Sequence, residues 1–263
     1  MGGVVLIFLE NFFVICTFKI RLLTYMCTVT YIPKDNNNFI LTSNRDEAYG
    51  RTTLAPNFYN VDGVKMLFPK DVVAGGSWIG ISEKSRMICL LNGGYENHVK
   101  LEGYKMSRGV VVKELLKADA LSQAIEEFDY SGIEPFTIVA IDWSNTLKAT
   151  ELVWDGTKAH ITILGKEPKI WSSSTLYDEE MKAKRREWFA EFANDTDWSI
   201  QSLFSFHTTA GEGDDYIDLR MNRGKLGTVS VTQVEKQDEV CRMEYNDIQK
   251  EEVHTIDFEM IPA

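Results

Sequence analysis

The feature that most constrains the fold of this chain is the separation of its predicted strands and helices into blocks. Apolar and polar patterning predicts strands up to about residue 91, again over 136–164, and again over 226–260. Two helical patterns lie between the first two strand blocks, and two more precede the last block. Blocks segregated in this way favour antiparallel sheets with helices outside them, an α+β layered domain, over the alternation of a Rossmann-type fold.

The predicted strands are 26–31, 41–47, 64–69, 77–82, 86–91, 136–143, 147–154, 158–164, 226–235, 239–245 and 252–260. Ser107 and Asp119 are expected to cap the first two helices. The other two predicted helices are Tyr177–Ala193 and Trp198–Phe206. Basic residues in the third helix are interpreted as a solvated face; they are Lys182, Lys184, Arg185 and Arg186.

The first two strands, Met26–Tyr31 and Leu41–Glu47, are predicted to form a β-hairpin. Residues 33–38 between them read Pro-Lys-Asp-Asn-Asn-Asn, and Asn and Asp tolerate the left-handed backbone of turns. This pairing brings the thiol of Cys27 near the Asn-Arg-Asp-Glu tetrapeptide that ends the second strand, residues 44–47.

Residues 1–25 differ from the rest of the chain, because Val4–Leu9 and Phe12–Phe18 form an apolar stretch. No Lys or Arg precedes this stretch and no small-residue cleavage signal follows it, unlike a typical signal peptide. We expect translation to begin at Met26, so that the leader is artefactual or disordered. A membrane anchor or signal and a folded segment are the alternatives. Residues 26–263 are expected to form a single domain.

Composition excludes several classes of function. The net charge of −11 disfavours a nucleic-acid partner, since phosphate binding requires clustered Lys and Arg. The four cysteines are far apart and contain no CxxC pair, which indicates neither a zinc site nor a disulfide scaffold and favours the cytoplasm. No phosphate-binding glycine motif is present. The four histidines lack metal-site spacing, so no metal is expected, although any of them could ligate haem.

Cys27 is the strongest candidate for chemistry if Met26 is removed, because its thiol then lies beside a free α-amino group. The pKa values of a free thiol and of an α-amino group are about 8.5 and about 8, so a modest shift provides a thiolate and a proton acceptor at neutral pH. Arg45 could lower the thiol pKa, and Asp46 could hold the ammonium or Arg45. Asn92, between a strand and two glycines, is the natural oxyanion donor. The alternative is that Cys27 is an ordinary core residue.

Two glycine-containing segments have an open interpretation. Gly75-Gly76 and Asn92-Gly93-Gly94 can be ordinary turns, or they can expose backbone N–H groups to a ligand. Arg223, in a loop after Asn222, could reach an anionic ligand or could lie in a solvated turn.

From Met26 onwards the chain resembles the NRDE family, to which the eukaryotic transport and Golgi organisation protein 2 belongs. The matching segments are MCTVTY at 26–31, LTSNRDEAYGR at 41–51, AGGSWIGIS at 74–82, LLNGG at 90–94 and MNRGKLGTVSV at 221–231. The family is similar to N-terminal nucleophile hydrolases, so the resemblance implies a four-layer αββα sandwich. It also implies that Cys27 is the nucleophile.

The candidate catalytic residues are Cys27, Arg45, Asp46 and Asn92. The resemblance implies Cys27 and the tetrapeptide, whereas Asn92 is inferred from its place before two glycines. The residues expected to bind substrate are Asn44, Glu47, Gly75, Gly76, Trp78, Asn222 and Arg223. The chain departs from the family at 172–176, where Ser-Ser-Ser-Thr-Leu replaces a Ser-Asn pair, so a second amide donor is absent or replaced by a hydroxyl.

The first functional hypothesis is an N-terminal-nucleophile-type amidohydrolase that acts on a small acyl amide and requires no cofactor. The alternative is a non-catalytic protein that binds or carries haem or another hydrophobic anion. Neither hypothesis implies a nucleic-acid partner or firm membrane association, and neither specifies the oligomeric state.

Overall fold

The computed structural model describes residues 27–194 and 197–259, in which thirteen strands and four helices form two antiparallel sheets with helical cover. The strands are β1 (Thr28–Pro33), β2 (Phe39–Ala48), β3 (Thr53–Val61), β4 (Val64–Asp71), β5 (Ile79–Ser82), β6 (Arg86–Asn92), β7 (Phe136–Asp142), β8 (Lys148–Trp154), β9 (Ala159–Ile163), β10 (Lys169–Ser172), β11 (Leu226–Gln237), β12 (Val240–Asp247) and β13 (Glu252–Glu259). The helices are α1 (Arg108–Lys117), α2 (Leu121–Glu127), α3 (Glu179–Asn194) and α4 (Ile200–Thr209). The expectations for the apolar leader, 1–25, lie outside the described residues.

The six-stranded sheet has the order β10-β1-β2-β11-β12-β13, and the predicted first hairpin is confirmed at its centre. Thr28 pairs with Asn44 in antiparallel register. Asn36 and Asn37 make the turn at φ values of 58° and 60°, a left-handed backbone that asparagine tolerates. Sequence-local turn chemistry therefore specifies this register.

The seven-stranded sheet is a meander in chain order, from β3 to β9. Its edge strand β3 was missed in the sequence because it contains Pro56 and two asparagines, residues that weaken a strand pattern but are tolerated at an edge. The other missed strand, β10, is only four residues long and pairs with β1 at the edge of the six-stranded sheet.

Helices cover the outer face of each sheet, which confirms the αββα layering. Helix α1 packs on β5 and β6, whereas α3 packs on β10 and α4 packs on β2 and β11. Ser107 caps α1 as predicted, accepting a hydrogen bond from the N–H of Gly109. The predicted Asp119 cap is wrong: α2 is capped at Ala120 without a side-chain bond, because the Asp119 carboxylate instead pairs with Lys84 at 2.8 Å.

The main core lies between the two sheets and under α1 and α2, and it contains successive residues of β6 and β7, since both faces of these strands are covered. In β1 and just before it, Cys27, Val29 and Tyr31 belong to this core. A second cluster lies between the six-stranded sheet and its helices; its buried members are Ile32, Ile40, Phe189, Leu203, Phe206 and Leu219.

The basic face predicted for α3 is not uniformly solvated. Arg185 is fully buried, and its guanidinium lies 3.5 Å from the centre of the Tyr177 ring. It also donates to the carbonyls of Ile217 and Asp218 and to the hydroxyl of Thr28. The prediction was wrong here because charge patterning along a helix cannot reveal which arginine finds buried acceptors.

Across 27–194 and 197–259, no helix is both long enough and apolar enough to cross a bilayer.

Candidate functional site

The signature tetrapeptide lies at the end of β2, where successive side chains point to opposite faces of the six-stranded sheet. Arg45 and Glu47 point toward the seven-stranded sheet and line a cavity at its end. Asn44 and Asp46 point the other way, toward α3, α4 and the segments beside them. One strand therefore supplies two separate polar sites.

The cavity is small, about 50 Å³, which is room for a few water molecules. Four parts of the chain enclose it: β2, the loop over 71–78, the end of β6, and the start of α1 over 107–109. Gly76 allows this convergence, because a Cβ placed there would lie 2.8 Å from the backbone of Gly109. Gly76 thus serves close approach between two backbones, an interpretation that neither sequence alternative gave.

Two arginines and two carboxylates form one wall of the cavity. Asp71 Oδ2 accepts from Arg45 Nη2 at 2.9 Å and from Arg51 Nε at 2.7 Å. Burial raises the pKa of Asp71, but the N–H of Ala74 and the two arginines outweigh it, so the pKa lies below its ordinary value. Burial raises the pKa of Glu47, against the charge of Arg45. Arg45 thus pairs with Asp71 and, at 3.5 Å, with Glu47; Asp46, one of whose two suggested partners was Arg45, does not pair with it.

Several buried polar atoms that line the cavity have no hydrogen-bond partner among the described residues. They are Arg45 Nε and Nη1, Trp78 Nε1, and both Nδ2 and Oδ1 of Asn92. The Arg45 guanidinium also lies 4.6 Å from the centre of the Trp78 ring. Buried polar groups are normally paired in folded proteins, so these atoms mark a place where a ligand or water binds.

Cys27 is fully buried and does not itself line the cavity. It precedes Thr28, which pairs with Asn44, so the β1–β2 register extended by one residue would set Cys27 opposite Arg45. Burial raises its pKa well above the ordinary value, and the charge of Asp46 adds to this, outweighing the Asp46 backbone N–H and the charge of Arg45. The expected neutral-pH thiolate is therefore not favoured while Cys27 remains inside a longer chain.

Ser173 connects Cys27 to the cavity. Its N–H donates to the Cys27 carbonyl at 3.0 Å, and its hydroxyl donates to the Asn92 carbonyl at 2.6 Å. Ser173 lies in the segment where the chain departs from the NRDE pattern, so a hydroxyl does occupy this region. Cys27 and Asn92, 65 positions apart in sequence, are thereby held on either side of one residue.

On the opposite face of the sheet, His207 anchors Asn44. Asn44 Oδ1 lies 2.7 Å from His207 Nδ1, and its amide donates to the carbonyls of His207 and Leu219. His207 Nε2 lies 2.8 Å from the Thr30 hydroxyl. Burial, with the charge of Arg185, lowers the pKa of His207 to about 3. The ring is therefore neutral, donating from Nδ1 and accepting at Nε2.

Asp46 also binds partners on this outer face. Its Oδ2 accepts from the Tyr177 hydroxyl at 2.8 Å and its Oδ1 from the Thr228 hydroxyl at 2.7 Å. A bulge in β11 between Thr228 and Ser230 sets Thr228, and not Val229, opposite Asp46. Burial nevertheless raises the pKa of this carboxyl, against the charge of Arg185.

The predicted site residues fall into three groups. Arg45, Glu47, Gly76, Trp78 and Asn92 line the cavity. Cys27, Asn44, Asp46 and Gly75 lie beside them without lining it. Asn222 and Arg223 lie elsewhere: Asn222 accepts from the Tyr49 hydroxyl, and Arg223 stacks on Tyr216 at 3.8 Å.

Sequence reasoning missed the cavity residues Arg51, Asp71 and Arg108. Arg51 lies within the matched 41–51 motif, so its proximity to Arg45 was a usable signal. Asp71 bonds the N–H groups of Val73 and Ala74, a turn pattern that Asp favours but that gives no hint of Arg45. Arg108 had no signal beyond following the predicted Ser107 cap.

Among the described residues, no group of three or more His, Cys, Asp or Glu side chains is arranged to hold a metal ion. Each histidine instead has a separate neighbour. His98 lies near Glu134, His160 near Asp155, His254 near Glu252, and His207 near Asn44.

A family model described as Transport and Golgi organisation 2 matches residues 26–239. No curated protein sequence matches the chain.

Solved structures share the fold at low sequence identity. Penicillin V acylase from Agrobacterium tumefaciens is 12% identical, with a TM-score of 0.54 over 88% of this chain and 86% of the other. A mutant of conjugated bile acid hydrolase from Clostridium perfringens is 11% identical, with a TM-score of 0.55 over 89% and 92%. An N-acylethanolamine-hydrolyzing acid amidase orthologue from Caenorhabditis elegans is 13% identical, with a TM-score of 0.54 over 79% and 92%. These similarities establish an N-terminal-nucleophile-hydrolase-like fold.

Proposed function

Because the chain belongs to the Transport and Golgi organisation 2 family, we propose that it is an N-terminal-nucleophile-type amidohydrolase acting on a small acyl amide or related substrate. The similar solved structures are named as an acylase, a hydrolase and an amidase, and their fold supports this class of reaction. Fold alone does not specify an activity, so the proposal depends on the site.

The observation that carries the proposal is the bridge made by Ser173 between Cys27 and Asn92. Ser173 bonds the backbone carbonyls of both residues, and the buried side-chain amide of Asn92 has no partner among the described residues. A nucleophile next to an unpaired amide donor is what acyl transfer requires, since the donor stabilises the oxyanion that the attack creates.

The proposed reaction requires Cys27 to be the first residue. Its free α-amine accepts the thiol proton, and Sγ attacks the amide carbon while Asn92 Nδ2 donates to the developing oxyanion. The C–N bond then breaks, the leaving amine takes the proton, and a thioester remains on Sγ. Water hydrolyses the thioester, which releases the carboxylic acid and restores the thiol. Arg45 orients the substrate from the cavity wall.

The test compares a chain beginning at Cys27 with one beginning at Met1, using a panel of small acyl amides of aminomethylcoumarin. We expect turnover and an acyl adduct, detected by intact mass, only in the chain that begins at Cys27. In that chain, Cys27→Ala should reduce turnover by at least about 1000-fold, because it removes the nucleophile.

Cys241→Ala is the matched control, since Cys241 is also a buried free cysteine but lies on β12. It should retain turnover. Equal turnover in the Cys27→Ala variant and its parent would refute the proposal.

The haem-carrier alternative stays a prediction, because no contact among the described residues favours it over the amidohydrolase. The cytoplasmic location likewise remains a prediction.

A further inference from the structure

The unpaired atoms around the cavity are mostly hydrogen-bond donors. Arg45 Nε and Nη1, Trp78 Nε1 and Asn92 Nδ2 donate, whereas Asn92 Oδ1 is the one acceptor among the partnerless atoms of the cavity in the described chain. All three residues are at most 1% exposed. A ligand that satisfies this set must present acceptors, because unmet buried donors are costly.

The start of α1 adds a second attraction for negative charge. Ser107, Arg108 and Gly109 line the same cavity, and the ten-residue helix begins at Arg108. A helix N-terminus carries about half a positive charge. The N–H groups of Gly109 and Val110 already donate to Ser107, so the attraction here is that of the helix dipole. The helix end and the buried donors therefore face the same small volume.

The fixed charges of the side chains around the cavity balance one another. Arg45 and Arg51 are paired with Asp71, and Arg108 Nη2 lies 3.1 Å from Glu134. Glu47 lies 3.5 Å from both Arg45 and Arg51. The cationic side chains are thus balanced by carboxylates, and the remaining attraction comes from the helix end and the neutral donors.

We propose that this cavity is a carboxylate-binding subsite formed by Arg45, Trp78, Asn92 and the first turn of α1. A carboxylate accepts only, carries one charge, and is small enough for a cavity of about 50 Å³. The inference rests on the proposed function, which it sharpens: the substrate is an acyl amide that carries a carboxylate close to the scissile bond.

Acetate titration of the full chain tests the subsite directly. With ¹⁵N-labelled protein, acetate should shift the indole N–H resonance of Trp78 and the backbone N–H of Gly109 in a saturable way. Trp143 is an internal control, because its Nε1 is also buried without a partner among the described residues but lies outside the cavity. Acetamide, the neutral isostere, should bind at least about tenfold more weakly than acetate.

Two variants test the named donors, with the acetate Kd read from the Gly109 resonance. Asn92→Asp replaces a donor with a negative charge and should weaken acetate binding at least about tenfold. Trp78→Phe removes one N–H and should weaken it about threefold or more. Asn60→Asp, the same change at an exposed residue near the end of β3, should bind acetate as the parent does.

Failure of the inference is distinguishable from failure of the proposed function. Any one of four results would overturn the subsite. They are no saturable Trp78 shift, equal binding of acetamide and acetate, unchanged acetate binding in Asn92→Asp, and phosphate binding without acetate binding. None of these results depends on Cys27. If the protein binds acetate but its Cys27→Ala variant retains turnover, the subsite is upheld and the assignment of Cys27 as the nucleophile is refuted.

Discussion

At the scale of single residues, the outer face of β2 depends on His207. The neutral ring bonds Asn44 through Nδ1 and Thr30 through Nε2, so it joins β1, β2 and α4 on the side opposite the cavity. Protonation would turn the accepting Nε2 into a donor and would place a charge near the buried guanidinium of Arg185. The alignment of the tetrapeptide thus depends on one uncharged imidazole.

This dependence predicts a loss of stability in mild acid. The pKa of His207 is about 3 in the folded state against 6.5 when unperturbed, so the unfolded state binds more protons between these values. Stability attributable to His207 is present above pH 6.5 and is lost as the pH falls toward 3. Between pH 7 and pH 4 it should amount to on the order of 3 kcal/mol.

Urea unfolding at several pH values checks this expectation. His207→Gln, which cannot titrate, should show a flatter dependence of the unfolding free energy on pH than the parent. His254→Gln, at a partly exposed histidine on β13, should keep the parental slope. An unchanged slope in His207→Gln would show that other groups cause the acid sensitivity.

At the scale of elements, the contact between the 71–78 loop and α1 shapes the cavity. Gly76 lies against the Gly109 backbone, and Ser77 atoms lie 3.0–3.1 Å from where a Cβ on Gly109 would be. Backbones this close leave no space for a side chain at position 76 or 109. The helix end can line the cavity only because both contacting residues are glycines.

Gly76→Ala should therefore destabilise the fold by about 1–3 kcal/mol, since α1 or the loop must move. Gly165→Ala is the matched control, because a Cβ at that position would meet no atom within 4 Å and its backbone needs no glycine conformation. It should change stability by no more than about 0.5 kcal/mol. Equal unfolding midpoints in urea for the two variants would contradict this account of the contact.

At the scale of the whole molecule, the two sheets share one core. Met87 of β6 and Met243 of β12 are both fully buried in it, although they come from different sheets. Neither sheet can separate without exposing the apolar side chains of the other. The described domain should therefore unfold as one unit.

The measurement is urea unfolding followed by tryptophan fluorescence and by far-UV circular dichroism. The two curves should coincide for the parent. Met87→Ala and Met243→Ala should each lower stability by about 2–5 kcal/mol and shift both curves together. Separate transitions for the two signals would indicate that the sheets unfold independently.

Local sequence patterns predicted most of the strands and helices and much of the layering. The β1–β2 hairpin, the Ser107 cap and the strand blocks follow from spacing and turn residues that act within a few positions along the chain. Arg45, Trp78 and Asn92 were identifiable from the motif resemblance. Edge strand β3 was missed because Pro56 and two asparagines weaken its pattern, and buried Arg185 was missed because its acceptors lie in a distant segment.

Only the tertiary structure decided how the tetrapeptide is divided. The strand period places Arg45 and Asp46 on opposite faces of the sheet, but their partners come from distant parts of the chain. Asp71 pairs with Arg45, whereas Tyr177 and Thr228 donate to Asp46. Ser173 likewise reaches Cys27 and Asn92 only after the two sheets pack. Local patterns specify the face of the sheet on which a side chain lies. Its partners are set by packing between segments that are distant in sequence, which no local pattern encodes.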